Sequence, residues 1–181
     1  MTDLKLSALT ALATPNQEDL LFVVDDPGGS PLSRKSTIQQ VQAAMGVGAK
    51  ANATVDQTIG DDTWTAVSLN LEDFDDAAYH DTVTNNSRMT IPAGYDGRYL
   101  LIGHIQWSAP NDTKPYQTAI YKNGTLLDQW TGVAVGGTVA SIQCTIIDNA
   151  VAGDYYELYA YQNSGGNEDT TNSYFTIQKV G

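Results

Sequence analysis

From Trp64 onward the chain alternates apolar and polar residues with a period of two, the pattern of strands that bury one face and expose the other. Trp64-Thr65-Ala66-Val67-Ser68-Leu69-Asn70-Leu71 begins the series. Further strands are predicted over Met89 to Ile91, Arg98 to Trp107, Gln117 to Lys122, Thr125 to Trp130, Val139 to Ile147, Tyr155 to Gln162 and Tyr174 to Val180. Turn chemistry separates them: Pro92 to Gly97, Asn123-Gly124, Ala152-Gly153-Asp154 and Asn163 to Asn167. A run of short strands with no helical period between them predicts a sandwich or a barrel, so the fold class is all-β.

With 181 residues the chain can bury a core of its own. Only 17% of the residues are charged, so the solvated faces must rely on Asn, Gln, Ser and Thr. A net charge of −12 and a pI near 4.2 repel phosphate backbones and anionic lipid, so no nucleic acid is expected as a partner. No apolar run approaches the roughly 20 residues that span a bilayer, and no membrane insertion is expected. The N-terminus has no basic segment followed by an apolar run and a cleavage site, so a soluble, unprocessed product is expected. The single cysteine, Cys144, lies in an alternating segment and is read as a small buried hydrophobe.

The first residues read differently. Leu20 to Val24 is a compact apolar run, and Asp25 to Pro31 is a strong turn signal, so a strand and a reversal are predicted. Ser36 can then cap a short helix, with Gln39 closing a capping box, Ile38, Val41 and Met45 on one face, and Gly46 ending it. Too few apolar residues are present for an independent core, so this segment must dock on something else. Residues 47–60, rich in Ala, Gly, Thr and Asn, read as a linker or short stalk. The predicted organisation is therefore 1–46, a docking segment; 47–60, a linker; and 61–181, the β-rich head.

Four landmarks in the head, in order, resemble the jelly rolls of the tumour-necrosis-factor and complement globular-head type. They are Phe74-Asp75 with Met89-Thr90-Ile91-Pro92-Ala93-Gly94-Tyr95-Asp96-Gly97-Arg98-Tyr99, then Ala119 to Gly124, then Ala152 to Tyr159, and last Tyr174 to Ile177. The resemblance covers about the C-terminal two thirds. It implies a jelly-roll β-sandwich that assembles as a homotrimer. On the strand Tyr155 to Gln162, inward Tyr156, Leu158 and Ala160 leave Glu157, Tyr159 and Tyr161 outward. Outward tyrosines are favoured where another surface covers them, so these three residues are the expected trimer interface.

Leu6 to Gly46 in turn resembles segments at the start of bacteriophage virion proteins, which anchor fibres or decorations to the particle. That resemblance implies a virion location, with other virion proteins of capsid or tail as partners. Leu20, Phe22, Val24, Ile38, Val41 and Met45 are the expected particle anchor. Because the chain is short and has little stalk, a capsid decoration or head fibre is preferred over a tail-fibre tip that contacts host surface glycans. Ser108 to Pro115 and Asn163 to Asn172 are the loops expected to meet partners.

Catalytic readings lack residues. A nucleophilic triad needs a base, and the two histidines, His80 and His104, have no Ser or Cys partner at recognisable spacing. His104 is expected to pack or hydrogen-bond within a sheet, and His80 to have a solvated or capping role in a loop. Neither a zinc set nor the twelve-residue calcium loop occurs, although Asp61-Asp62, Glu72 to Asp76 and Glu168-Asp169 are rich in carboxylates. A glycosidase needs two facing carboxylates at a set separation, which spacing cannot supply. No enzyme activity and no cofactor are expected. The rival reading is a carbohydrate-binding jelly roll in which Trp107, Trp130 and outward tyrosines stack on sugars.

Overall fold

The computed structural model describes residues 46–108, 110, 113–133 and 140–181, together with the backbone of residues 20–25 and 32–37. The chain divides into two compact units, Met1–Met45 and Gly46–Gly181. In the first, β1 (Leu20–Asp25) pairs antiparallel with β2 (Leu32–Thr37), Asp25 opposite Leu32, so the chain reverses where the turn signal stands. Ser36, expected to cap a helix, lies inside β2 instead. The rest of that expected helix, with Ile38, Val41 and Met45, lies outside the described residues.

The second unit is a sandwich of two antiparallel sheets, and no helix occurs among the described residues. Its strands are β3 (Gly48–Asn52), β4 (Gln57–Ile59), β5 (Thr65–Ala66), β6 (Leu71–Asp75), β7 (Arg88–Thr90), β8 (Gly97–Trp107), β9 (Pro115–Lys122), β10 (Thr125–Val133), β11 (Ala140–Ala150), β12 (Tyr155–Gln162) and β13 (Glu168–Lys179). One sheet runs β11-β8-β13-β3-β6, with β4 also on β13; the other runs β10-β9-β12-β5, with β7 also on β12. Successive strands pass repeatedly from one sheet to the other, the connectivity of a jelly roll. The core lies between the sheets: Tyr99, Leu101, Ile105, Trp107, Phe175 and Ile177 from one meet Tyr116, Ile120, Tyr156, Leu158 and Ala160 from the other, all at 0% exposure.

Three expectations need correction. Residues 47–60 are not a linker: β3 is a central strand between β13 and β6, and β4 pairs with β13. Its alternation is written in alanine, with Ala49, Ala51 and Ala53 buried between half-buried Lys50 and Asn52, and a side chain of one carbon gives little hydropathy signal. Close approach explains the small residues, since a Cβ on Gly48 would stand 2.3 Å from the Ile177 carbonyl oxygen. The predicted strand Trp64 to Leu71 is two strands, β5 and β6, which lie in opposite sheets; buried Val67 and Leu69 cross between them. Glu168 to Asn172, expected in a loop, belong to β13, whose register slips between Thr171 and Tyr174. β12 spans the predicted residues, and β9 and β10 meet at the predicted Asn123-Gly124 turn, with φ of 52° and 76°.

Candidate functional site

Each sheet turns one face to the core and one outward, and the two outward faces differ in chemistry. On the sheet led by β11, β8 and β13, strand register aligns three rows: Gln143, His104 and Tyr174; Thr145, Ile102 and Thr176; Ile147, Leu100 and Gln178. No Asp, Glu, Lys or Arg stands in these nine positions, in a chain that carries 21 acidic and 9 basic residues. Ile147 is 60% exposed. The same face continues across β3 to Leu71 and Phe74 of β6, which stand opposite Asn52 and Lys50 and are 50% and 41% exposed. Lys50 is the cation there, paired with Asp73 at 2.6 Å and lying 4.9 Å above the Tyr174 ring.

His104 stacks on Tyr174 near the middle of this face, ring centroids 4.8 Å apart and planes 12° from parallel. Its Nδ1 is buried with no hydrogen-bond partner among the described residues. Desolvation holds the imidazole below the usual histidine range, against an opposing backbone hydrogen bond with Asn172. A half-buried neutral ring with one unpaired nitrogen suits a surface that becomes covered.

The other outward face carries aromatic rings. Tyr159 and Tyr161 of β12 stand opposite Ala119 and Gln117 of β9, and Glu157 stands opposite Tyr121. Tyr159 lies against Tyr121 with centroids 4.2 Å apart, and Trp64 lies 5.1 Å from Tyr161 and 6.2 Å from Tyr121. The Tyr161 hydroxyl donates to Asp62 Oδ1 at 2.6 Å. Burial raises the Tyr159 and Tyr121 phenols above the usual tyrosine range.

The expected trimer residues Glu157, Tyr159 and Tyr161 do share the outward face of β12, but they are not alike. Glu157 is 5% exposed, accepts hydrogen bonds from Ser87 Oγ at 2.8 Å and Arg88 Nε at 3.2 Å, and is satisfied within its own chain. Arg88 also lies 4.2 Å over the Tyr155 ring. The alternation of the strand places all three outward; it does not reveal that Ser87 and Arg88, where the chain enters β7, bring a hydroxyl and a cation to Glu157.

Neither histidine has a nucleophile beside it in these contacts. Of the solvated or capping role expected for His80, the solvated one is corrected, since its side chain is wholly buried. Nδ1 lies 2.9 Å from Glu72 Oε1 and Nε2 lies 3.0 Å from the Asn86 carbonyl oxygen, so the ring clamps the loop before β7 onto β6. Asp75 accepts from the backbone amides of Ala77, Tyr79 and His80, which fixes the start of that loop. Trp107 is fully buried against Tyr116 and has no face for a sugar, contrary to the carbohydrate-stacking expectation; Trp130 is half-buried on β10. The anchor residues Leu20, Phe22 and Val24 alternate along β1, and their side chains lie outside the described residues. Of the loops expected to meet partners, Ala109, Asn111 and Asp112 also lie outside them.

No protein-family model matches the chain, and no curated protein matches its sequence. Solved structures do match its fold. Eiger TNF from S. frugiperda aligns over 75% of this chain and 93% of its own, with 14% identity and a TM-score of 0.57. Murine APRIL aligns over 75% and 99%, with 10% identity and a TM-score of 0.56. The globular domain of zebrafish complement 1qA aligns over 74% and 95%, with 8% identity and a TM-score of 0.54. The head is thus a jelly roll of the tumour-necrosis-factor and complement type, the architecture that its four sequence landmarks imply.

Proposed function

We propose that this chain is a binding and assembly module rather than an enzyme: a homotrimeric jelly-roll head of a bacteriophage virion, held to the particle by its N-terminal unit as a capsid decoration or head fibre. The trimer follows from the likeness of the head to its structural family, and the virion setting from the likeness of Leu6 to Gly46 to phage anchoring segments. The observation that carries self-association is the three charge-free rows of β11, β8 and β13, bounded at one end by exposed Arg98 in the next row. Interface cores are depleted of charge, and a chain of net charge −12 needs such a patch before copies can approach. This face suits the contact better than Glu157, Tyr159 and Tyr161 do. Glu157 is neutralised in its own chain, and the Tyr161 hydroxyl is already held by Asp62.

Light scattering of the purified chain at micromolar concentration tests the assembly, with three times the 19.4 kDa chain mass expected. Ile102→Asp together with Ile147→Asp should return it to a single-chain mass, whereas Tyr159→Ser with Tyr161→Ser should leave the trimer intact. A single-chain mass for the unaltered protein would overturn the assembly. Deleting residues 1–46 tests the anchor: the head should stay trimeric and no longer join particles.

A further inference from the structure

The rings of Trp64, Tyr121, Tyr159 and Tyr161 form one continuous half-buried patch on the face opposite the proposed contact, and we propose that this patch is a binding site for a neutral saccharide. The sheet register builds it. Trp64 comes from the chain leading into β5, Tyr121 from β9, and Tyr159 and Tyr161 from β12, and adjacent centroids are 4.2 to 6.2 Å apart. Between them Ala66 and Ala119 stand either side of Tyr159 in one row, Ala119 fully buried, so small side chains leave the ring surfaces prominent. Gln117 lies opposite Tyr161, with Thr131 and Gln129 in the next strand beside it.

Charge selects the ligand. Arg88 and Glu157, the ion pair of this face, neutralise each other at 3.2 Å, so neither is left to meet an ionic ligand. At the rim, Asp62 holds the Tyr161 hydroxyl, and Asp61 Oδ1 accepts from the Gly165 amide; both would repel phosphate, sulfate or sialic acid. An organic cation could lie over a single ring, but it would leave Gln117, Gln129 and Thr131 beside the patch with nothing to hydrogen-bond. What remains is a ligand with apolar C–H faces for the rings and hydroxyls for amides and carboxylates, the chemistry of a neutral pyranose. A trimer would present three such patches at once, so weak single sites would act together on a polysaccharide.

The site rests on the proposed assembly in one respect: this face stays open because copies meet through the other. The test is a titration of the full chain with chitotriose, maltotriose, galactobiose and mannobiose, beside sialyllactose and choline, followed by tryptophan fluorescence, with light scattering on the same samples. At least one neutral oligosaccharide should shift the emission, and Trp64→Leu, which keeps an apolar cover but removes the flat ring, should weaken that ligand about tenfold. Tyr159→Ala should weaken it likewise while the mass stays trimeric. Response to sialyllactose or choline alone, no response to any of the probes, or undiminished binding by both variants would overturn the site. If Trp64→Leu instead breaks the trimer, the patch is a contact between copies and both the site and the assignment of faces fall. A single-chain mass for the unaltered protein with saccharide binding intact would defeat the assembly and leave the site standing.

Discussion

Gly103 and Cys144 stand directly opposite each other across β8 and β11, and Cys144 Sγ donates to the Gly103 carbonyl at 3.4 Å. The two sheets press closely together here: a Cβ on Gly103 would lie 2.3 Å from Leu158 Cδ1 of the facing sheet and 2.6 Å from Cys144 Sγ. Gly103→Ala should therefore cost about 1–3 kcal/mol of stability by overpacking, read as a lower urea midpoint at unchanged slope. The thiol records the same burial, which pushes it up to about 12. Folded protein should leave a disulfide reagent unreacted at pH 8 and consume one equivalent in denaturant; fast reaction of the folded chain would contradict the packing described.

One end of the sandwich is tied by Lys122, whose Nζ lies 2.9 Å from Asp148 Oδ2 and 3.1 Å from Asp154 Oδ2 while Tyr156 donates to Asp148 at 2.7 Å. These bonds hold both carboxyls below their usual range, Asp148 despite its desolvation and Asp154 chiefly through Asn123 and the Val151 amide. A carboxylate depressed in the folded state contributes stability that is present above its unfolded value and is lost as pH falls through its folded one. Thermal unfolding should thus fall off between about pH 5 and pH 2. Lys122→Met should lower stability at neutral pH by about 1–3 kcal/mol and flatten that acid loss. An acid profile as steep as that of the unaltered chain would show that Lys122 does not hold the pair.

Arg88 Nε lies 3.2 Å from the Glu157 carboxyl, which is only 5% exposed. Removing the guanidinium in Arg88→Met leaves the carboxylate with Ser87, and the expected loss is about 1–3 kcal/mol in chemical denaturation. Adding Glu157→Gln to that variant should recover much of the loss, because a neutral amide needs no counter-ion. A double variant no better than Arg88→Met would mean that Arg88 acts through its contact with the Tyr155 ring instead.

The sandwich was readable from sequence wherever one face of a strand is bulky and the other polar, as in β8 and β12. It was hidden where the buried face is made of alanine, as in β3, because packing against β13 there depends on small size rather than on hydropathy. The split between β5 and β6 was hidden for another reason: Trp64 to Leu71 alternates without interruption, and only long-range pairing, of Ala66 with Tyr159 and Leu71 with Asn52, shows the change of sheet. Faces were harder still. Outward tyrosines on β12 could be named from alternation, but the charge-free rows come from three strands that are distant in sequence, and register alone aligns them. Trp64 joins the aromatic patch for the same non-local reason.

His104 links the charge-free face to pH. Its imidazole is held below the usual histidine range by desolvation, so the folded chain favours the neutral ring and the unfolded chain binds the proton more readily. Stability from this residue is present above the ordinary histidine value and is lost as pH falls from there through the lower folded value. Covering the face with a second copy deepens the desolvation, so assembly should release a proton and acid should oppose it. The charged neighbour there, Lys50, lies over the Tyr174 ring and is already paired with Asp73 at 2.6 Å. Sedimentation between pH 7.5 and pH 5 should show the trimer dissociating at the acid end, and His104→Phe, which preserves a ring against Tyr174, should hold it together throughout. A trimer of the unaltered chain that is as stable at pH 5 as at pH 7.5 would place His104 outside the contact.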